Sequence, residues 1–453
     1  MLMTLQQIND IVSGDLKGAD VTINNISIDT RTLQKGNLYL AIKGENFDGN
    51  DFVKQAEKSE AAAALLSRNI ETQLPKIIVT DTRLALAKIA GALRKQMALP
   101  VCAITGSNGK TTVKEMVTAI LSVNTKVLST RGNFNNDIGV PLTLLRLEKL
   151  HDFAVIEMGA NHPGEIAYTG QFVRPDISII TNVGAAHLEG FGSIQGVAKA
   201  KSEIIQSLPP HGTAILNADD PFFDFWQDVA GDRKIISFGL SETANIKASE
   251  ISNKIERSQF VTTFNLKTGK HETPFSLHLA GKHNVLNALA AASACLAMDI
   301  PLEQIQQGLS TIKPVSGRLE PLLSEKGNII INDTYNANPS SLEVALNVLQ
   351  NCPGEPWVIL GAFGELGSDS KKIHADLGQL IKSRKVVRLL AVGSDAESTA
   401  STFGKGASFF STQNELIQTL LSEITGNETI LIKGSRAQKM EKVTEALLAR
   451  EAA

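Results

Sequence analysis

Cysteine is nearly missing from this chain: three residues in 453, Cys102, Cys295 and Cys352, lie far apart and form no C-x-x-C pair. An odd, sparse set fits a reducing compartment and argues against a disulfide scaffold or a zinc site. An excess of either charge is missing as well. The 44 basic and 47 acidic side chains leave a net charge of −3, which gives no support to a nucleic-acid or polyanion surface. No apolar run reaches membrane-spanning length, and the opening MLMTLQQINDIVSGDLKG has no basic region followed by an apolar core. A cytoplasmic protein without membrane insertion is the expectation. Low-complexity tracts and long linkers are absent, and no Ser-His-Asp or Cys-His arrangement offers an enzyme nucleophile. What remains is an ordinary globular composition, 43% hydrophobic and 20% charged, in a chain too long for one core. Two or three domains follow.

The stretch VCAITGSNGKTTVKE, residues 101–115, carries the strongest local signal. Val101, Cys102, Ala103 and Ile104 form an apolar run too short for a helix, as in a strand buried on both faces. Val113, Met116, Val117, Ile120 and Leu121 then recur with the helical period. The glycines therefore sit between a strand and a helix N-terminus, where free N–H groups favour an anion. Lys110 is placed to meet terminal phosphates and Thr111 to reach magnesium. The general spacing G-x-x-x-x-G-K-[ST] asks for glycine at 104, yet the chain has Ile104 and its first glycine is Gly106. On this stretch alone, a glycine-rich turn that binds nothing remains the alternative.

The expected fold is α/β in three domains: a small N-terminal α/β domain (1–82), a central P-loop-type, mostly parallel, doubly wound sheet (83–312) and a C-terminal Rossmann-like α/β domain (313–453). In the first, strands are expected near 23–28 and 37–42 and an alanine-rich helix near 51–66. A helix is expected over 82–97, and alternating strands and helices from 101 to about 312. FAVIEMG (153–159) delivers Glu157 to a strand end, and DISIITNVG (176–184) is followed by His187. Beyond Lys313-Pro314, NIIIND, WVILG, RLLAVG and TILIKG are four short strands. Ligands gather beyond the carboxyl ends of such strands, so the P-loop, Glu157 and His187 are expected on one rim.

Each candidate has a bland counterpart. Glu157 is a magnesium ligand or a solvated strand end; His187, in a glycine-bracketed loop, is a ligand or incidental. In GVAKAKSEII either Lys199 or Lys201 is functional, or both are surface charges. Asn284 and Asn287, at i and i+3 on an alanine-rich helix, share one face and either meet something planar or serve capping and packing. NDTYNANPSS places Asp333 at a strand end before Tyr335, Asn336 and Asn338. LIKGSRAQ sets Lys433, Ser435 and Arg436 after a strand, an arrangement suited to carboxylate or phosphate.

TGSNGKTT, GNFNNDIGVPLTLLR, AVIEMGANHPGEI, AAHLEGFGS, GVAKAKSEI, GKHNVLNALAA, NDTYNANP and KGSR, in this order over essentially the whole chain, closely resemble the Mur ligases of bacterial cell-wall synthesis. That family shares with folylpolyglutamate synthases the phosphate loop T-G-S/T-x-G-K-T, which accounts for the displaced first glycine. The resemblance implies an ATP-dependent ligase that joins D-alanyl-D-alanine to UDP-N-acetylmuramoyl-tripeptide through an acyl phosphate. It further implies that ATP lies between the central and C-terminal domains, held by Gly106, Ser107, Asn108, Gly109, Lys110, Thr111 and Thr112, by Asn284 and Asn287, and by Arg318, Asp333 and Tyr335. By the same likeness Thr111 and Glu157 carry one magnesium ion, and His187 with a carbamylated Lys201 a second; Lys199 is the weaker candidate. Asp29, Thr30, Arg31, Lys43 and Gly44 are implied at the UDP end. Asn133, Asn135, Asn136 and Asp137, with Asn336, Asn338, Lys433, Ser435 and Arg436, are implied at the rest of the substrate. A monomer is expected, and the third peptide residue, diaminopimelate or lysine, stays open. One departure stands out: related enzymes tend to read G-D-M-x-E-L-G where this chain has GAFGELG, 361–367, which weakens any role at position 362. A folylpolyglutamate synthase is not expected to carry NNDIGVP together with EMGANHPGEI. The D-N-P-R motif of the ligase adding the third residue is missing. A regulatory nucleotide binder needs only the phosphate loop, not Lys110, Thr111, Glu157, His187 and Lys201 together.

Overall fold

The computed structural model describes residues 3–44, 46–184, 188–256 and 259–449. Three main sheets follow one another along the chain. The first has five strands in the order Asp15–Lys17, Lys76–Ile78, Ala63–Leu66, Leu38–Leu40, Ile26–Ser27, parallel except at the Asp15–Lys17 edge. The strand anticipated over 23–28 is two short pieces: Thr22–Ile23 pairs with Met3–Thr4, and Ile26–Ser27 joins the five-stranded sheet. The alanine-rich helix anticipated over 51–66 is corrected too. Helix stops at Lys58, the chain turns through Glu60 at φ +58°, and Ala63–Leu66 is an interior strand with all four residues buried. Alanine favours helix only weakly, and burial between two strands overrides it.

Helix Thr82–Gln96, capped by the Asp81 carboxylate, buries Ala85, Leu86, Ile89 and Ala90 in a core shared with Leu5, Leu38, Val101 and Ile156. Its Arg94 is buried and donates to three main-chain carbonyls. Nε donates to Val173 O (3.1 Å), Nη1 to Met97 O (2.7 Å) and Nη2 to Arg174 O (3.1 Å), and Asp176 takes both Nη2 (3.3 Å) and the Val101 N–H (2.9 Å). The start of the phosphate-loop strand is pinned through that carboxylate.

The central sheet has nine strands, with Val101–Thr105 between Phe153–Glu157 and Ile177–Ile180, all parallel. Val113, Met116, Val117, Ile120 and Leu121 are fully buried, as their period predicts. The expected alternation of strands and helices fails after Gly239. There Ile246–Glu256, Gln259–Thr268 and His271–Leu277 form an antiparallel meander at the edge. Its cause is a period of two: Phe260, Thr262, Phe264 and Leu266 point inward while the residues between them are more exposed. The third sheet runs Glu320–Leu323, Ile329–Asp333, Glu428–Lys433, Glu355–Gly361, Arg388–Val392, Ala407–Phe410. Its four inner strands are the expected ones, and the two edges had no comparable apolar run.

Arg94→Met should lower stability by about 2–4 kcal/mol, because buried carbonyls and a carboxylate lose their donor together. The midpoint of the first urea transition measures it, and an unchanged midpoint would contradict the role.

Candidate active site

The phosphate loop has glycine where the space demands it. At Gly106, φ +144°, an added Cβ would overlap Thr181 Oγ1; at Gly109, φ +82°, it would overlap Asn287 Oδ1. Position 104 lies inside the strand, where Ile104 is core, so the displaced first glycine follows from the path of the chain. Thr181 Oγ1 donates to Asn108 O (2.6 Å), the Asn182 side chain takes the Asn108 N–H (3.0 Å), and Asn182 O takes the Ser107 N–H (2.9 Å). Lys110 folds back, Nζ donating to Gly106 O (2.7 Å) and Ser107 O (3.3 Å). Burial lowers its pKa, the Glu157 charge opposes that shift, and Arg318 adds to it.

Glu157 is buried rather than solvated. Its Oε2 accepts from Thr111 Oγ1 (2.9 Å), its Oε1 from Asn135 Nδ2 (2.8 Å), and its N–H is held by Thr130 Oγ1 (3.0 Å). The oxygens of Thr111 and Glu157 thus converge, the hard donors that magnesium prefers. No group of three or more His, Cys, Asp or Glu side chains suited to a metal exists among the described residues. His187 lies outside the described residues. The two lysines differ in burial. Lys199 is exposed, whereas Lys201 is buried on helix Ile194–Gln206, its Nζ 5.3 Å from the centre of the Phe191 ring. Burial, with the Lys110 charge second, pushes the Lys201 amine down to about 7.

A cavity of about 620 Å³ separates the central and C-terminal sheets. Residues 107–112, Glu157, Asn284 and Asn287 line it from one side, and Arg318, Asp333, Tyr335, Asn336, Lys433 and Arg436 from the other. Arg318 lies over the Tyr335 ring at 4.1 Å and its Nη2 donates to Thr111 Oγ1 (3.0 Å), while its buried Nε has no hydrogen-bond acceptor among the described residues. Lys433 and Asp333 form a buried ion pair at 2.6 Å, and Lys433 also reaches Asn336 O (3.1 Å). Asn338 caps helix Pro339–Leu349 through the Ser341 N–H, and its Nδ2 donates to Asn108 Oδ1 (3.0 Å); Asn108 in turn donates to Ser340 Oγ (3.1 Å). The phosphate loop is clasped directly by the C-terminal sheet's first helix.

Asn287 donates to Asn284 Oδ1 (3.0 Å), and Asn284 Nδ2 lies against Ala280 O (2.8 Å) and His283 Nε2 (3.0 Å). Burial pushes His283 down to about 4, with Asp333 opposing, so it stands neutral in the wall. Asn133, Asn135 and Asn136 reach the cavity, but Asp137 binds Arg83 instead (2.9 Å). Gly106 and Lys201 are not in its lining, and Asp29, Thr30, Arg31, Lys43 and Gly44 stand away from it in the N-terminal unit. There the Arg31 guanidinium holds the Asp29 carboxyl below its usual range. In GAFGELG, Ala362 is buried and its carbonyl accepts from Ser435 Oγ (2.7 Å), while Gly364, Glu365 and Leu366 line the cavity. Sequence reasoning passed over Thr130, Thr181, Asn182, His283 and Ser340. The strand-end rule could have found Thr181 and Asn182; no local signal marks Ser340.

A phosphate loop, a converging hydroxyl and carboxylate, and a second nucleotide-fold-like sheet closing over them define a nucleotide-handling α/β protein with its site between domains. Residues 22–98, 104–295 and 317–436 match, in turn, the Mur ligase family catalytic domain, the Mur ligase middle domain and the Mur ligase glutamate ligase domain. A UDP-N-acetylmuramoyl-tripeptide--D-alanyl-D-alanine ligase of Escherichia coli (strain K12) is 44% identical over 98% of both chains, and that of Bacillus subtilis (strain 168) is 34% identical over the same shares. A crystal structure of MurF from Acinetobacter baumannii superposes with TM-score 0.94 at 37% identity over 99% of each chain. MurF ligase from Thermotoga maritima in complex with ADP gives 0.84 at 27% identity, over 93% of this chain and 96% of that one. The chain belongs to the Mur ligase family.

Gly109→Ala should weaken binding of a non-hydrolysable ATP analogue about tenfold or more, since it strains a left-handed residue and displaces Asn287. Calorimetry measures this, and wild-type affinity would remove the loop from the nucleotide site.

Proposed function

We propose that the chain is an ATP-dependent acid--D-amino-acid (peptide) ligase of the cytoplasm, acting as a monomer in peptidoglycan precursor synthesis. It joins D-alanyl-D-alanine to UDP-N-acetylmuramoyl-tripeptide and yields UDP-N-acetylmuramoyl-pentapeptide, ADP and phosphate. The full-length likeness to ligases of that name supports the substrates. The observation that carries the chemistry is the meeting of Lys110, Thr111 and Glu157 with Arg318, Asp333 and Lys433 around one cavity. In this reading residues 1–82 grip the UDP end, 83–312 hold ATP, and 313–453 close over both.

A carboxylate is a poor acylating agent, so the tripeptide terminus first takes the γ-phosphoryl group, releasing ADP. The dipeptide amine attacks the resulting acyl phosphate, loses a proton and expels phosphate. Two anions must approach each other in the first step. Lys110 and Arg318 supply fixed positive charge there, and the N-terminus of helix Lys110–Leu121 presents backbone N–H groups. Magnesium, when bound, would lower the same barrier, held by Thr111 and Glu157 at one position and by His187 and Lys201 at a second. A bare ammonium would be repelled from that second position. Carbamylation of Lys201 reverses its charge, and an amine with a pKa of about 7 keeps enough of the neutral form to add carbon dioxide.

Phosphate release that requires both UDP-tripeptide and D-alanyl-D-alanine tests the assignment; product with glutamate or a single amino acid, and none with the dipeptide, would overturn it. Lys110→Ala should lower turnover by about a thousandfold or more while the protein stays folded, a loss of about 4 kcal/mol of charge stabilisation. Near-normal turnover would sink the ATP-site assignment.

The Lys201 reading has its own pH signature. Its pKa in the fold lies below the ordinary lysine value, so the reactive neutral amine is lost as pH falls through about 7. Enzyme stripped of carbon dioxide should regain activity with bicarbonate, and should regain less as pH drops below that point. Full activity without bicarbonate, and mass spectra of unmodified lysine in the active enzyme, would refute the carbamate.

A further inference from the structure

Arg83 breaks a local rule. It stands in the first turn of helix Thr82–Gln96, next to the Asp81 cap whose carboxylate takes the backbone N–H groups of Arg83 (2.8 Å) and Leu84 (3.0 Å). A cation there faces the positive end of the helix dipole, which opposes it. Two of its guanidinium nitrogens reach two separate parts of the molecule: Nη1 donates to Asp137 Oδ2 at 2.9 Å and Nη2 to the Lys43 carbonyl at 3.1 Å. Lys43 follows the inner strand of the N-terminal sheet. Asp137 belongs to the loop before helix Gly139–Leu144 of the central unit. The side chains are 42% and 31% exposed, and ion pairs that open to water contribute little to stability. What the fork does achieve is registration of two loops, since a planar guanidinium spans two acceptors where a lysine ammonium would not.

The second loop does not end at Asp137. Two residues earlier Asn135 donates to Glu157 (2.8 Å), Glu157 accepts from Thr111 (2.9 Å), and Thr111 accepts from Arg318 (3.0 Å). A continuous polar path therefore runs from the N-terminal unit through the central sheet to the C-terminal one. We infer that Arg83 is a positioning residue that holds the Lys43 loop in register with the loop carrying Asn135 and Asp137. Seating of the UDP-linked substrate and seating of ATP are coupled through that register. The inference rests on the function proposed above.

The test uses the full chain. Calorimetry gives the affinity for UDP-N-acetylmuramoyl-tripeptide with and without a non-hydrolysable ATP analogue, and steady-state kinetics give KM for each of the three substrates. Arg83→Gln should melt at the wild-type temperature, raise Kd and KM for the UDP-tripeptide about tenfold, and leave the affinity for the ATP analogue alone unchanged. The factor by which the analogue alters UDP-tripeptide affinity should move toward one, and reciprocally so; Arg83→Lys should fall between. If the glutamine variant does not fold, Asp137→Asn, which keeps an acceptor without its charge, should show the same selective rise at smaller size. An equal rise for all three substrates, or none, would overturn the inference. A wild-type chain that binds no UDP-tripeptide overturns both this inference and the proposed function, whereas normal wild-type binding with unaffected variants overturns this inference alone.

Discussion

At Gly106 and Gly109 the backbone passes so close to Thr181 and Asn287 that no β-carbon fits. The rest of the site is arranged around that approach. A strand in the middle of a parallel sheet delivers the loop to the rim, and its neighbour supplies Thr181 and Asn182 to hold the Asn108 backbone. Helix Lys282–Ala297 enters through Asn287, which fills the space that a side chain at 109 would need. Because the loop is tied on both sides, Lys110 and Thr111 begin their helix in one defined orientation. Only then can a carboxylate at the end of the adjacent strand meet the Thr111 hydroxyl.

From that fixed point the polar contacts spread into all three sheets. Glu157 is buried yet fully engaged, by a threonine, an asparagine and a backbone N–H taken up by Thr130. Buried charge is costly without such partners. The C-terminal sheet reaches the loop through Asn338, Ser340 and Arg318, contacts that close the cavity from above. Its own floor is the Asp333 and Lys433 pair, two groups that end neighbouring parallel strands in register. An ion pair so enclosed adds little net stability, but it fixes the two strand ends against each other beside the cavity.

Much of this was legible in the residues. Short apolar runs located the strands at 101–105, 153–157, 177–180 and the four inner strands of the last sheet, since a strand covered on both faces needs nothing but apolar side chains. A helical stripe located Lys110–Leu121. The misreadings have physical causes. Ala63–Leu66 has helix-favouring composition but lies between two strands, and 246–277 carries a period of two within a region read as alternating strands and helices. Ala362, which replaces an expected aspartate, is buried with its carbonyl on Ser435, so the backbone of that loop is held without the carboxylate.

The sequence by itself determined the phosphate loop, the acidic strand end, the pairs of asparagines and the family to which their order points, because each is a pattern within a dozen residues. It did not determine which of Lys199 and Lys201 is buried, that Asn338 would reach Asn108, or that Asp333 and Lys433 would pair. Nor did it show Arg83 joining Lys43 to Asp137. Those outcomes depend on residues tens to hundreds of positions apart meeting at single atoms. Local propensity carries no information about such meetings, and only the packing of the three sheets against one another decided them.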